Sequence, residues 1–514
     1  SSTRYGIEFG RFRNQLLGKR GYLVQLEPRM SITGAKADKW LPLRPGTEGM
    51  VAQAIAYLIA SRGYGSDERV ERAQALAAEV DVEAVAKASD IPTAELDRLA
   101  QIYATTERPI ALPGSAISGQ NPSAEAVTAV QVLNMIAGVL GQPGGLLLAP
   151  KTSLPAVAQP VVSSFAEVQQ LIARMEAGQV QVLLVHGANP AYDLPEQTGF
   201  VKALQNVPYV VSFNPIVDET AVWADLILPD RTYLESWGLE AVNPNFGRPV
   251  VSSQQPVVEP LFGNYSAADA LLTIARGLPA AAEALPWQDE AAYLKEAIGG
   301  LAPGELDGTD PEVRWARFRQ NGGWWSSSEA IDRPDIQIPA QPGALSPAQF
   351  NGAAQEYPLY LHIFMSDLLS DGRGASQPWL QGSPDVNTSI SWQTWVELNP
   401  VTAQQLGLQQ GDVVRVTSPF GELEAPVYLY PAVRPDTVAI PLGQGHTDYG
   451  RYARDRGNNV INLVGVDQGQ IAENLPWAAQ RVKIAPTGRR IALATFENSI
   501  GVEKGFINRA FPGQ

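Results

Sequence analysis

The sequence predicts a multidomain α/β protein that ends in a closed β barrel, and three observations carry that expectation. A segment recurs after 187 residues, the recurring unit reads as parallel strand–helix–strand, and the last third breaks into short strands separated by turns. At 514 residues the chain is too long for one core; length alone suggests about three domains.

The repeat is ungapped. Tyr22-Leu-Val-Gln-Leu-Glu-Pro28 aligns with Tyr209-Val-Val-Ser-Phe-Asn-Pro215, and Thr33, Ala37, Asp38, Leu41 and Pro42 align with Thr220, Ala224, Asp225, Leu228 and Pro229. Asp38 and Asp225 should therefore hold equivalent places in two similarly folded units. In the second copy Ser164 and Glu167 form a capping box for a helix through Leu171, Ile172 and Met175, which Gly178 ends. A buried-type strand from Val180 to Val185 leads into the loop His186-Gly-Ala-Asn-Pro190. A helix from Phe200 to Leu204 and a strand from Tyr209 to Phe213 complete a parallel unit. The matching first strand and loop of the other copy are expected upstream of Ser1.

Between the copies, Met50, Ala54 and Leu58 stack at helical spacing with Val51, Ile55 and Ile59 beside them. A second helix runs from Thr93 through Leu96, Leu99 and Tyr103, and a third buries Val127, Val130, Leu133 and Ile136. Strand-like Ile110–Pro113 and Gly144–Leu148 bracket that third helix. From Leu278 to Tyr357 periodicity fades, and Ser326 to Glu356 reads as a linker, with Trp324-Trp325 as its packing anchor. Short β segments follow at Leu359–Phe364, Trp395–Leu398, Val413–Thr417, Glu422–Tyr430, Thr437–Leu442 and Arg481–Ala485. One small helix, Pro400 to Leu406, starts at Asn399 and closes at Gly407. Many short strands with one helical turn suggest a closed barrel.

Composition removes several functions. With 38 Lys and Arg against 53 Asp and Glu, the net charge of −15 argues against nucleic acid or an anionic lipid surface as direct partner. There is no cysteine, which excludes disulfides, thiolate zinc and cysteine-ligated iron–sulfur clusters in this chain. No apolar run approaches the length that spans a bilayer. G-x-G-x-x-G, P-loop and G-x-S-x-G motifs are absent.

Ligands of open α/β sheets sit at the carboxyl ends of strands. Two such ends are readable, Gly187-Ala-Asn-Pro190 and Asn214-Pro215 with Asp218, Glu219 and Thr220. Their glycine and amides suit a phosphate, ring or ribose, while Asn-Pro by itself equally starts a turn. In the barrel, Gly443-Gln-Gly445-His446 precedes Tyr449-Gly450 and Asn458-Asn459; it reads as a ligand cradle or, on sequence grounds more simply, a barrel corner. The three histidines, His186, His362 and His446, lack metal-ligand spacing. His362 alternates within a strand as a barrel-wall residue, whereas His186 and His446 lie in loops that could share a cleft.

These residues together resemble the molybdopterin oxidoreductase family, the dimethyl sulfoxide reductase group. Glu27-Pro-Arg29 leading to Ala37–Thr47 looks like its first Rossmann-like domain, with Gly138–Gly145 as the helix-ending glycine loop. Val185–Pro190 and Thr220–Pro229, with Leu234-Glu235 after them, look like the second, and Trp395–Asp412 resembles the opening of its C-terminal double-psi β-barrel. The resemblance implies two Rossmann-like doubly wound domains and that barrel. It divides the chain into a first α/β domain at 1–150, a second at 151–278, a connector and linker at 279–356, the double-psi barrel at 357–494 and a tail at 495–514.

Carried over residue by residue, the resemblance implies a pterin pocket of Gly187, Asn189, Asn214, Asp218, Asp225, Gly443, Gly445, His446 and Asn459. One departure stands out: after the barrel's first strand many relatives place Thr, Arg and His, and this chain has Ser366–Ala375, with Asp367 and Asp371. The run Gly372–Leu380, with Gly443–His446 and Tyr449–Ala453, is similar to one branch, the large molybdopterin-like iron–sulfur subunit of alternative complex III. That branch implies a non-catalytic scaffold with a vestigial pocket and no cofactor or metal of its own, in a membrane-bound quinol:electron-acceptor oxidoreductase. Its implied partners are an iron–sulfur ferredoxin-like domain or subunit, c-type haem subunits and an integral quinol-binding subunit. Its implied place is the periplasmic side of the bacterial inner membrane. The alternative is a catalytic subunit of polysulfide- or thiosulfate-reductase type, carrying bis-molybdopterin guanine dinucleotide with molybdenum.

Overall fold

The computed structural model describes residues 2–14, 18, 20–147, 162–242, 248–301, 306, 310–326, 343–466 and 474–495. In both copies of the repeat an apolar strand lies parallel to the strand that begins just after the aspartate. In the first copy β1 (Val24–Leu26) pairs with β2 (Lys39–Leu41), Val24 opposite Lys39. In the second, β3 (Val182–Val185), β4 (Tyr209–Ser212) and β5 (Leu226–Ile227) form a parallel sheet in that order, Val211 opposite Leu226. Both members of the first pair move to the second by the same 187 residues. Asp38 accepts the Leu23 N–H at 2.8 Å and returns its own N–H to the Leu23 carbonyl at 2.9 Å. Asp225 repeats this on Val210 at 2.7 and 2.9 Å. Even the turn between the strands is copied: Gly34 N–H donates to Ser31 Oγ at 3.2 Å, and Ala221 N–H to Asp218 Oδ1 at 2.8 Å. The duplication is therefore a repeat of geometry as well as of letters.

The helix Glu48–Arg62 is apolar on nearly all sides because it is the centre of the first domain, packed between Thr93–Thr105 and Ala124–Ala137. Ile59, Leu96 and Ile136 are fully buried there. In the second domain Ser164 and Glu167 make the expected capping box for Phe165–Glu176. That helix and Phe200–Leu204 cover one sheet face through Ile172, Met175, Leu204 and Val210.

Four expectations need correction. Strand β3 is buried on one face only: Val182 and Leu184 are 54% and 51% exposed, because among the described residues β3 is an edge strand whose packed helices meet only the face carrying Leu183. Residues Ile110–Leu112 form no strand. The Asn134 side chain meets both backbone groups of Ala111, at 2.9 and 2.8 Å, and satisfies them as a neighbouring strand would. At Gly144–Leu148, only an isolated Leu140–Leu146 bridge forms, and Leu148 lies outside the described residues. The start of the connector is a folded unit. Helices Glu290–Ala297 and Pro311–Asn321 pack on an antiparallel sheet of β6 (Gly238–Val242), β7 (Val250–Gln254) and β8 (Gly323–Trp325). Leu306, Trp315, Phe318 and Trp324 form its core, so Trp324-Trp325 is a strand and not an anchor for the linker. Pro311–Asn321 buries only Trp315 and Phe318 among polar neighbours, too few apolar positions for a periodic signal. Of the linker, residues 327–342 lie outside the described residues; beyond them the chain straps over the first domain, where Gln53 bonds Gly343 and Leu345.

The expected closed barrel is present. Its strands β9 (Leu359–Met365), β10 (Val396–Leu398), β11 (Asp412–Thr417), β12 (Glu422–Leu429), β13 (Thr437–Leu442) and β14 (Gln480–Arg490) close in the order β10-β12-β11-β14-β9-β13. Val414, Val427, Val438, Ile440 and Val482 fill it. Asn399 caps the small helix Pro400–Gln405 by accepting the Val401 N–H.

A buried ion pair fastens the first domain to this barrel. Arg29, just beyond β1, donates from Nε and Nη2 to the two oxygens of Glu397 in β10, at 2.5 and 2.8 Å. Arg29 is 5% exposed and Glu397 not at all, and the guanidinium lies 3.6 Å over the Phe364 ring. Trp395 Nε1 donates to the same carboxylate. Replacing Arg29→Met leaves Glu397 buried and unpaired and should cost about 3–5 kcal/mol in urea unfolding. The double variant Arg29→Met/Glu397→Met should regain most of that loss; equal destabilisation of single and double variants would show the pair is not what matters.

Candidate functional site

The carboxyl ends of β3 and β4 carry two loops tied together by amide side chains. Asn214 Oδ1 accepts the Gly187 N–H at 2.9 Å, and Asn214 Nδ2 donates to the Ala188 carbonyl and to Asp218 at 2.9 and 2.7 Å. Asn189 Nδ2 donates to Glu219 at 2.7 Å, and Asn189 Oδ1 accepts the N–H and hydroxyl of Thr220. Asp218 also holds the N–H groups of Thr220 and Ala221, and burial pushes its pKa up. Every amide and carboxylate of this set already has a partner within the chain.

The barrel's loops close directly onto this edge. His446 Nδ1 lies 3.1 and 3.2 Å from the two Glu219 oxygens, and Nε2 lies 3.1 Å from the Gly372 carbonyl. Both ring nitrogens thus face oxygen atoms. The ring stacks on Tyr192 at 3.8 Å, with Tyr449 at 4.8 Å. Tyr192 donates its hydroxyl to the Gln444 carbonyl at 2.9 Å, and Asn459 Nδ2 donates to the Tyr192 carbonyl at 2.9 Å. Thr447 and Asp448 add backbone N–H bonds to Glu219. Burial alone would raise the Glu219 pKa, but the hydrogen bonds from His446 and Asn189 and the charge of His446 hold it at about 2.

The residues singled out from sequence divide three ways. Gly187, Asn189, Asn214 and Asp218 are linked at one strand end, and His446 and Asn459 reach this region from the barrel through Glu219 and Tyr192. Asp225 does not join them: its carboxylate is bound to Val210 at the start of β4, the opposite end from Asn214. The two loop histidines do not meet either, since His186 pairs with Asp230 at 2.6 Å while His446 takes Glu219. Glycines 443 and 445 have positive φ, and a Cβ there would strike Leu369 and the Asn458–Asn459 backbone. They are needed for close packing of the chain on itself, as the corner reading holds. Tyr192 was not legible as a site residue, because no sequence signal links it to a loop 252 positions away, whereas Gln444 and Gly372 lie in runs the sequence had marked.

The sequence profile described as molybdopterin oxidoreductase matches residues 7–264, and that of the molydopterin dinucleotide binding domain matches residues 383–473. The chain belongs to the molybdopterin oxidoreductase family. It is 30% identical over 481 residues to the menaquinone reductase molybdopterin-binding-like subunit of Nitratidesulfovibrio vulgaris, a match covering 90% of this chain and 65% of that protein. It is 22% identical to the thiosulfate reductase molybdopterin-containing subunit PhsA of Salmonella typhimurium, over 83% of this chain and 65% of that one. The chain thus spans just under two thirds of the length of these relatives. Among solved structures, acetylene hydratase from Pelobacter acetylenicus shares the fold at a TM-score of 0.63 and 18% identity, over 90% of this chain and 73% of that one.

In a molybdopterin oxidoreductase, the group to test against these loops is a pterin dinucleotide. Its phosphates need unspent donors. Here the Gly187, Thr447 and Asp448 N–H groups are taken, Arg373 is bound by Asp371 at 2.6 Å, and the Tyr192 and His446 rings stack at 3.8 Å. As placed, these groups already have partners within the chain. The latch also has a pH signature. Because Glu219 sits at about 2 against an ordinary 4.5, its contribution is full above pH 4.5 and is lost as pH falls towards 2. Glu219→Gln should destabilise the protein at neutral pH by roughly 1–3 kcal/mol. Thermal melts should show the gap from wild type closing as pH drops; a gap constant down to about pH 2 would contradict the assignment.

Proposed function

We propose that this chain is a cofactor-free scaffold subunit of a membrane-bound quinol:electron-acceptor oxidoreductase of the alternative complex III kind. The observation that carries this reading is the seam between strand ends and barrel, which the chain's own Tyr192, His446 and Glu219 close. An α/β scaffold keeps its sheets and helices whatever its strand-end loops bind, so a family member can lose the ligand and retain the fold. The relative named as a menaquinone reductase molybdopterin-binding-like subunit supports a place in a quinone-linked complex. In this reading the chain lies on the periplasmic side of the inner membrane. Iron–sulfur, c-type haem and integral quinol-binding partners hold it there, and none of the helices among the described residues is long and apolar enough to cross a membrane.

A second reading, a catalytic molybdopterin subunit of thiosulfate- or polysulfide-reductase type, is favoured by the dinucleotide-binding profile over residues 383–473. It requires the Tyr192–His446 stack to open and release donors to phosphate. Elemental analysis of the intact complex separates the two. The expected result is molybdenum and tungsten far below one atom per chain, with no pterin fluorescence after acid extraction. One metal atom per chain would overturn the scaffold reading.

A further inference from the structure

Away from the seam, the segment after β7 turns large apolar side chains outward. Phe262 is 87% exposed, Leu261 78% and Tyr233 74%, with Val257, Val258 and Tyr265 each at least half exposed. Two stretches build this surface, and hydrogen bonds join them: the Val257 N–H donates to the Leu234 carbonyl at 2.9 Å, and Gln254 Nε2 to the Tyr233 carbonyl at 3.0 Å. The loop is also pinned from beneath. Glu235, itself buried, accepts the Leu261 N–H at 2.8 Å and the N–H and hydroxyl of Thr232 at 2.9 and 3.0 Å. Asn264 Nδ2 donates to the carbonyls of Pro229 and Asp230, and Arg231 returns a bond to the Asn264 carbonyl. These side chains are therefore held outward by a braced backbone.

We infer that this ridge is a docking face for a different protein subunit, one presenting an apolar centre with a neutral or basic rim. Size supports a stable contact. At roughly 150–250 Å² per open aromatic side chain, Tyr233, Phe262 and Tyr265 alone expose on the order of 450 Å², and Val257, Val258 and Leu261 add to it. That puts the ridge at or above the usual largest apolar patch of a monomer, ~300–600 Å², and near the ~800 Å² that one partner contributes to a standard interface. Charge selects the occupant. The two stretches, residues 230–235 and 254–269, carry one cation, Arg231, which pairs with Asp269 at 3.5 Å, against Asp230, Glu235, Glu259 and Asp269, so an anionic bilayer finds little to attract it. A second copy would bring another net charge of −15 against this one. The inference rests on the reading of the chain as one subunit of a larger complex.

The test uses the complex purified from its native membranes through a tag on this chain, as wild type and as Leu261→Asp/Phe262→Asp. Both positions are exposed, so the variant should fold, and an unchanged melting curve establishes that it does. At least one redox subunit should fall by about tenfold or more relative to this chain in the variant, as for loss of central apolar anchors. Independently, p-benzoylphenylalanine placed at 262 should cross-link to a peptide of that same subunit. If wild type brings down no redox subunit, the complex reading fails and this face with it. If wild type brings them down but the variant retains them all, or the cross-link lands on lipid or on a second copy, the docking face alone is overturned.

Discussion

The bidentate contact of Arg29 with Glu397 joins residues 368 positions apart, and the relation between the first α/β domain and the barrel depends on it. A guanidinium and a carboxylate removed from water are tolerable only when every proton and lone pair is met. Phe364 beneath the cation and Trp395 beside the anion supply part of that requirement. The same junction is reinforced by Arg434, which reaches the Pro42 carbonyl and Asp90 from the barrel side. Because the pairing geometry is narrow, the strand end that carries Arg29 cannot slide relative to β10 without exposing an unpaired buried charge.

A related device works at the other α/β domain. There the carboxylate belongs to the α/β loop and the imidazole to the barrel, with Glu219 meeting His446 and two backbone N–H groups. The duplication helps explain how such a seam arises. Both copies bring a turn and two strand ends to the same edge, but the first presents Glu27 and Ser31 where the second presents Asn214 and Asp218. One inherited geometry thus serves two different contacts with one barrel. In the second copy the Gly187, Thr447 and Asp448 N–H groups hold the loops and the barrel together.

Much of the fold was legible because it rests on local rules. The Ser164–Glu167 box, the apolar run of Glu48–Arg62 and the Asn399 cap each depend on residues within a few positions of one another. The Asp38 and Asp225 equivalence was legible from the repeat alone, and the paired backbone bonds give it a physical cause. The unit around Trp315, Phe318 and Trp324 was missed because its elements are short and become ordered only by packing on one another. Strand β3 was misjudged because an apolar strand at a sheet edge carries the same letters as one at the centre.

By itself, then, the sequence determined the α/β repeat, the barrel, the family resemblance and the absence of thiolate chemistry, since these follow from periodicity, caps, motif spacing and composition. The tertiary structure alone decided which candidate residues meet. It removed Asp225 from the strand-end group, gave His186 and His446 separate carboxylate partners, and brought Tyr192 into the space between loops. The reason is that a side chain's free donors and its distance from another domain are set by contacts hundreds of residues apart in the chain, and local sequence carries no record of them.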